Sequence, residues 1–458
     1  MKALPHRIHL VGVAGAGMSA LAKILVASGH DVSGSDLQAG ATLETLGDLG
    51  VHVWEGHQSE AVSGVDLVVA SSAVPENDPE LTAARAADVA VWRRPQLLDA
   101  MTSSIRTIGP SGTHGKTTTT ALLVTALRAA GVDPSFIVGG DVVGLGTNAH
   151  LGADELLVLE VDEAFGTFEH VRLNGLVVTN VEADHLDHFG TADEVEESFV
   201  RVVRAVDGPV LACLDDPGAR RVAQRTGSLT YGSSPDARWR VDDFSPHQGR
   251  GTFRLVGPGG VVPVDLPRPG FHAALNAAGA LALLGELGIS VEEAAEGLAS
   301  FSGVRRRFES RGVVGGVRIV DDYAHHPTEV TATLREAASL GVDRVWAVFQ
   351  PHLYSRTLEM HREFGSALAL ADGVVVTDVY GAREAPIPGV TGLLVASAAE
   401  RAGASEVHYV AHRRDVAGRM VDLVRKGDLV VTMGAGDVTL VGGELAQALE
   451  ERTGALRQ

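Results

Sequence analysis

One cysteine, Cys213, stands in 458 residues, so no disulfide can form within the chain. Such sparing use of cysteine suits a reducing cytoplasm, which is the expected location. Long apolar runs are missing as well. The longest, Ala273 to Leu284, is broken by Asn276 and falls short of the roughly 18 residues that suggest a membrane span. No membrane insertion is expected, and no signal peptide, because Met1 leads almost directly into the strand-like run Ile8 to Val11. Positive charge is also scarce: 38 Lys and Arg face 58 Asp and Glu, a net charge of −20. A nucleic-acid binder wants a basic face, so no nucleic-acid partner is expected. An anionic substrate would have to be met by locally concentrated arginine, lysine, metal or backbone amides. Short-period repeats and long low-complexity tracts are absent too.

What is present is an ordinary folded composition, 45% apolar and 21% charged. The length exceeds what one core fills, so two to four domains are expected. Short β-rich runs alternate with Ala/Leu-rich helical stretches, the pattern of parallel sheets with crossover helices. The first block opens with RIHLVGVAGAGMSALAKILVASG and ends near Met101–Ser104. The second starts at Ile105–Ile108, holds ELLVLEV and GLVVTNV, passes a Gly/Pro-rich stretch from Gly249 to Gly270, and ends near Ser302–Gly303. The third holds VRIVDDY, RVWAVFQ, GVVVTDV and DLVVTMG. The expected fold is α/β, with three domains in series at residues 1–103, 104–303 and 304–458. The outer two are Rossmann-like and the middle one is of the P-loop ATPase type.

GPSGTHGKTTTTALL, residues 109–123, lies between a strand-like run and a helical one. Pro110 breaks the strict G-x-x-x-x-G-K-[ST] pattern, but Gly112 to Thr117 keep what phosphate cradling needs. Amides of residues 112–117 would face the β- and γ-phosphates. Lys116 would add a point charge, and the Thr117 hydroxyl would ligate Mg²⁺. Lys116 is expected on an exposed loop, where its loss would cost little fold. Further metal ligands are expected at the ends of the next strands, Glu160 closing LLVLE and His185 in TNVEADHLDHF, since strand C-termini share one edge with the loop.

In the first block Gly12, Gly15 and Gly17 are spaced G-x-x-G-x-G, with Asp36 after the second strand. The spacing departs from the dinucleotide fingerprint. A glycine turn at a helix N-terminus still favours a pyrophosphate, and Asp36 would accept from a ribose or base. Two nucleotide-type sites, only one with a lysine, suggest that one nucleotide reacts and the other is a handle. In the third block Asp322, Tyr323, His325, His326, His352 and Arg356 are expected to face one cleft at strand ends. Arg305, Arg306 and Arg307 stand at the junction before it, where an arginine can neutralise a transferring phosphoryl group.

The motifs HLVGVAGAGMSALA, VSGSD, GTHGKTTTT, VVTNVEADHLDHFG, RRRF, DDYAHHPTEV, FQPHLYSRT and EAPIPGVTG, in that order, make the chain resemble the Mur ligases from end to end. The resemblance implies that ATP phosphorylates the lactyl carboxylate of UDP-N-acetylmuramate and that the amine of L-alanine displaces the phosphate. It implies Lys116, His185 and Arg307 as catalytic residues. Gly112, Thr113, His114, Gly115, Lys116, Thr117 and Thr118 would hold the ATP phosphates. His272, Asn276, Arg307 and Asp322 would contact the rest of the nucleotide. Thr117, Glu160 and His185 would serve Mg²⁺, with Mn²⁺ as a substitute.

The same resemblance implies that Gly15, Ala16, Gly17 and Met18 meet the UDP pyrophosphate, with Asp36, His57, Ser71 and Ser72 around uridine. Tyr323, His325, His352 and Arg356 would form the amino-acid pocket. The chain departs from the family pattern at Phe165, where an acid is usual, at Ala273, where asparagine is, and at Leu353, where arginine is common. No lysine lies between His185 and Arg204, so the carbamylated lysine of some relatives is expected to be absent. A monomer or homodimer is expected. The alternatives are a ligase that recycles a ready-made tripeptide, a nicotinamide dehydrogenase, and a nucleotide-dependent switch.

Overall fold

The computed structural model describes residues 4–37, 39–184, 189–382 and 384–455. Its first sheet is five parallel strands in the order β3-β2-β1-β4-β5. They are β1 (Arg7–Val11), β2 (Asp31–Asp36), β3 (His52–Glu55), β4 (Leu67–Ala70) and β5 (Ala90–Arg93). The connecting helices are α1 (Ala16–Ala27), α2 (Ala41–Asp48), α3 (Pro79–Ala86) and α4 (Arg94–Thr102). The central strands β1 and β4 are buried nearly throughout, as parallel strands covered on both faces must be. Strand order reverses between β1 and β4, which opens a crevice at their C-terminal ends.

The second sheet has ten strands, ordered β15-β14-β13-β12-β11-β10-β6-β9-β7-β8. Its parallel centre is β6 (Arg106–Ser111), β9 (Leu156–Leu159), β10 (Gly175–Val178), β11 (Val210–Cys213) and β12 (Leu229–Gly232). β7 (Ser135–Val142) and β8 (Thr147–His150) form an antiparallel hairpin at one edge. β13 (Trp239–His247), β14 (Arg250–Gly257) and β15 (Gly260–Leu266) extend the other edge. The Gly/Pro-rich stretch from Gly249 to Gly270 is therefore mostly sheet. Successive residues along it alternate, buried and exposed, as in a strand with one face covered. The helix Lys116–Ala129, α5, follows β6. The long apolar run falls in the helix Phe271–Glu286, where Ala277, Leu281 and Leu284 are buried core.

The third sheet has six strands in the order β16-β17-β21-β18-β19-β20. β16 (Glu309–Val314) runs antiparallel to β17 (Val317–Asp322). β18 (Val345–Phe349), β19 (Gly373–Val376), β20 (Val407–Tyr409) and β21 (Leu429–Met433) continue the sheet in parallel. Helices cover both faces: Val320, Leu334 and Phe364 belong to one core and Ile319, Trp346 and Leu445 to the other. The chain thus has three α/β domains, as expected.

The domains fall into two compact units. One comprises Met1–Phe244, Phe253–Leu266 and Ala274–Ser302; the other comprises Ser245–Thr252, Pro267–Ala273 and Gly303–Gln458. Within the first unit, Lys23 Nζ donates to Asn148 Oδ1 at 2.7 Å, and Asn148 Nδ2 donates to the Ala16 carbonyl at 3.1 Å. These bonds fix α1 on the β7–β8 hairpin. No helix among the described residues is long and apolar enough to cross a membrane.

Candidate active site

β6 and α5 build the phosphate cradle. Pro110 and Ser111 are still buried strand residues, so the proline precedes the turn and leaves it intact. The turn begins at Gly112 (φ +142°) and ends at Gly115 (φ +82°). A Cβ at Gly112 would collide with Thr179 Oγ1, and one at Gly115 would lie 2.9 Å from Asn276 Oδ1, so glycine is required at both. Asn276 is thereby placed beside the cradle. The set of open amides is narrower than expected. Thr113 N donates to the Asn180 carbonyl (3.2 Å) and His114 N to Asn180 Oδ1 (2.7 Å). The amides of Gly115 and Lys116 make no hydrogen bond among the described residues, and no side chain caps α5. An uncapped helix N-terminus of this kind receives phosphate. Thr118 follows, half-buried, in the first turn.

Lys116 is not the exposed loop lysine the sequence suggests. It is the first residue of α5, and its side chain is only 13% exposed. Nζ donates to the carbonyls of Gly112 (2.7 Å) and Thr113 (3.2 Å) and to both carboxylate oxygens of Glu163 (2.9 and 2.7 Å). Burial alone would lower its pKa, but Glu163 and Asp162 outweigh burial and hold the ammonium charged. Burial pushes the Glu163 carboxyl up to about 7 against the pull of Lys116, and Asp162 adds to the rise. A phosphate entering the cradle therefore competes with Glu163 for the lysine.

Thr117 Oγ1 donates to Glu160 Oε1 at 3.0 Å, and Glu160 Oε2 accepts from Gly139 N at 2.6 Å. A Cβ at Gly139 would fall 2.6 Å from Glu160 Oε1, so glycine gives that carboxylate its place. A hydroxyl and a carboxylate at one strand edge form an oxygen donor set that suits Mg²⁺. His185, the other expected metal ligand and catalytic residue, lies outside the described residues.

In the first domain the amides of Gly12 and Val13 donate to the Ser35 carbonyl (2.8 and 2.9 Å), and Ala14 N donates to Asp36 Oδ2 (3.0 Å). Asp36 thus braces this turn with one carboxylate oxygen. Gly15 is the N-cap of α1, with Ala16 and Gly17 opening the helix. Met18 is buried among the core residues of α1. Ser71 lies against Gly12, and Ser72 is exposed. His57 Nδ1 stands 2.5 Å from Asp78 Oδ2, while its Nε2 is buried without a hydrogen-bond partner. A cavity of about 390 Å³ adjoins the turn, lined by Ala14, Ser19, Lys23, Thr42, Asp141 and Asn148 among others.

In the third domain Arg307 lies between two residues in the left-handed region, Arg306 (φ +58°) and Phe308 (φ +50°). Such strain persists only where neighbours over-determine it. Here Tyr323 N donates to the Arg306 carbonyl (2.7 Å), Arg268 Nη1 to the Arg307 carbonyl (2.9 Å) and Phe308 N to Asp322 Oδ2 (2.6 Å). The Arg307 guanidinium lies 5.1 Å from the Tyr323 ring centre. Asp322 accepts from Ala324 N as well, so it braces this loop. Burial pushes its carboxyl up to about 6, with Arg307 opposing.

Sequence reading missed Arg268 and Glu336. Glu336 is fully buried and accepts from Arg268 Nε (2.7 Å) and Nη2 (3.0 Å). His272 Nε2, expected at the nucleotide, stands 3.2 Å from Glu336 Oε2. Burial alone would raise the Glu336 carboxyl, but Arg268 and His272 hold it down at about 2. No local signal marks this pair, because its members are 68 residues apart.

Tyr323, His325 and His352 come together as expected. Ring centres are 5.2 Å apart for Tyr323–His325 and 5.9 Å for His325–His352. Burial lowers the His325 ring to about 4, with Glu329 opposing and Arg356 adding to the fall, so the ring is neutral at pH 7. Its Nδ1 lies 3.0 Å from the Tyr323 carbonyl, which can only accept, so Nδ1 carries the proton. Arg356 stands in the first turn of the helix Tyr354–Leu368. Leu353, where arginine is common in the family, holds a strained φ of +69° just before that helix. His326 is the N-cap of the helix Pro327–Ala338, its side chain accepting from Thr328 N.

A glycine cradle with a largely buried lysine and an oxygen donor set beside it, in a chain of three α/β domains, define an enzyme that uses a nucleoside triphosphate. Comparison with known proteins narrows the class. Residues 7–106 match the model of the Mur ligase family catalytic domain, 111–284 the Mur ligase middle domain, and 306–436 the Mur ligase glutamate ligase domain. The UDP-N-acetylmuramate–L-alanine ligase of Saccharopolyspora erythraea is 46% identical over 470 aligned residues, covering 100% of this chain and 96% of that protein. The chain belongs to the Mur ligase family. The solved UDP-N-acetylmuramate–alanine ligase of Thermotoga maritima superimposes with a TM-score of 0.84 at 26% identity, covering 97% of this chain and 99% of that one. A murein peptide ligase from Psychrobacter arcticus gives 0.71 at 25% identity, with the same coverage.

Proposed function

We propose that this chain is an ATP-dependent ligase joining L-alanine to the lactyl carboxylate of UDP-N-acetylmuramate, in the cytoplasmic synthesis of peptidoglycan precursors. The observation that carries the reading is the buried Lys116 at the mouth of an uncapped helix, in a chain 46% identical to an alanine ligase over its whole length. The domain borders near residues 103 and 303 are part of the proposal. The first domain holds the UDP portion as a handle, the middle one ATP, and the third the amino acid.

A carboxylate is a poor electrophile, so it must be activated. One carboxylate oxygen attacks the γ-phosphorus of ATP, and ADP leaves. The alanine amine then attacks the acyl carbon and expels phosphate, and its extra proton passes to a base. Attack of one anion on another needs positive charge in place beforehand, which Lys116 and Arg307 supply. Thr117 and Glu160 would hold Mg²⁺, which when bound neutralises phosphate charge. A neutral His325 leaves Arg356 as the charge that meets the alanine carboxylate. Replacing Arg356 with alanine is expected to raise the apparent KM for alanine at least about tenfold, the worth of a charged hydrogen bond. Weaker ATP binding with unchanged alanine dependence would refute that role.

A tripeptide as amine donor is the second reading. The 46% identical relative is an alanine ligase, and the TM-score of 0.84 against 0.71 favours the single amino acid. The test is phosphate release from ATP with UDP-N-acetylmuramate and each of several amines. Release should require both co-substrates and be fastest with L-alanine; release without them, or with tripeptide in preference, would overturn the reading.

A further inference from the structure

Two adjacent arginines at the end of β5 and the start of α4 behave differently. Arg93 is fully engaged: Nη1 donates to the carbonyls of Ser71 (3.1 Å) and Val74 (2.7 Å), and Nη2 pairs with Glu76. Arg94 makes no hydrogen bond or ion pair with any described residue, and its Nε is buried. Its guanidinium lies over the first turn of α1. A Cβ at Gly17 would stand 2.9 Å from Arg94 Cζ and 3.0 Å from Nη2. The amides of Ala16 and Gly17 likewise make no hydrogen bond among the described residues, and no side chain caps α1.

This arrangement sets positive charge against positive charge. The N-terminus of a helix carries the positive end of its dipole, and a cation there is unfavourable unless an anion joins the two. The crevice at the C-terminal ends of β1 and β4, where a ligand belongs in such a sheet, is where the two cationic groups meet. We propose that Arg94 is the cationic arm of the diphosphate site, its guanidinium and the first-turn amides of α1 closing on the same diphosphate. The inference rests on the first domain holding a UDP-linked substrate. It also changes the reason for Gly17: the missing side chain makes room for the guanidinium rather than for the ligand.

The test is calorimetric titration of the full-length protein with uridine, UDP, UDP-N-acetylmuramate and a non-hydrolysable ATP analogue. Arg94→Ala should weaken UDP and UDP-N-acetylmuramate at least about tenfold and flatten the salt dependence of their binding. Uridine and the ATP analogue should change less than twofold, and Arg94→Lys should recover part of the loss. Gly17→Ala displaces only the end of a flexible side chain, so it should fold. It should weaken UDP in the native background but add little in Arg94→Ala, the signature of one shared interaction. Unchanged UDP affinity in Arg94→Ala would overturn the proposal, and so would an equal loss for uridine and UDP, which marks a structural role. Native protein that binds no UDP at all would instead overturn the underlying assignment of the first domain.

Discussion

Replacing Lys116 with alanine should abolish ligation and also destabilise the first unit. The kinetic loss should reach about 10²–10³-fold or more in kcat, the usual cost of removing a preorganised charge from a transition state. The stability loss follows from burial. Glu163 would be left without the ammonium that donates to it at 2.7 Å, with its side chain only 3% exposed. Breaking a buried pair from one side costs about 3–5 kcal/mol. Here the cost should fall to about 1–3 kcal/mol, the penalty of an unsatisfied neutral group. The reason is that Glu163, pushed up to about 7, can take a proton instead. Lys116→Ala with Glu163→Gln should therefore recover melting temperature but not turnover. A single variant that melts like the native protein would sink the burial argument. Recovered turnover in the double variant would sink the role of Lys116.

The second large effect concerns Glu336. Glu336→Ala leaves Arg268 buried and unpaired and should cost about 3–5 kcal/mol in the second unit. The strained Arg307 loop should loosen with it, because Arg268 holds the Arg307 carbonyl. The pH dependence gives a cleaner test. Glu336 titrates at about 2 in the fold against an ordinary 4.5, so its contribution is present above pH 4.5 and lost as pH falls toward 2. The shift corresponds to about 3 kcal/mol.

Two neighbouring groups act at higher pH. His325 is lowered from 6.5 to about 4, which destabilises the fold as pH drops through that range. Asp322 is raised from 3.8 to about 6, which stabilises it over nearly the same range. These two largely offset each other, so the acid lability that comes from Glu336 should show mainly below about 4.5. Thermal melts across pH of the native protein and Glu336→Gln should differ most there. An identical acid profile for Glu336→Gln would contradict the assignment.

Local pattern made much of this legible. Glycine, lysine and threonine at fixed spacing after an apolar strand announced the cradle, and repeated strand–helix alternation announced three α/β domains. What stayed hidden depends on partners distant in sequence. Lys116 reads as an exposed loop residue until Glu163 is seen closing over it. Gly17 reads as a ligand glycine until Arg94 is found in the space its side chain would need. Arg268 and Glu336 carry no motif at all, since a buried pair is defined by burial, which periodicity does not report. The Gly/Pro-rich stretch before residue 270 hid β14 and β15, because its turn residues masked the alternating apolar ones.

The acyl-phosphate route is tested most directly with UDP-N-acetylmuramate labelled with oxygen-18 in its lactyl carboxylate. When that carboxylate attacks ATP, one of its oxygens becomes the bridge to phosphorus. It leaves with the phosphate when alanine forms the amide. Mass spectrometry of the released phosphate should find one labelled oxygen per turnover, with the other retained in the new amide carbonyl. Unlabelled phosphate, released at the same rate with or without alanine, would contradict the account.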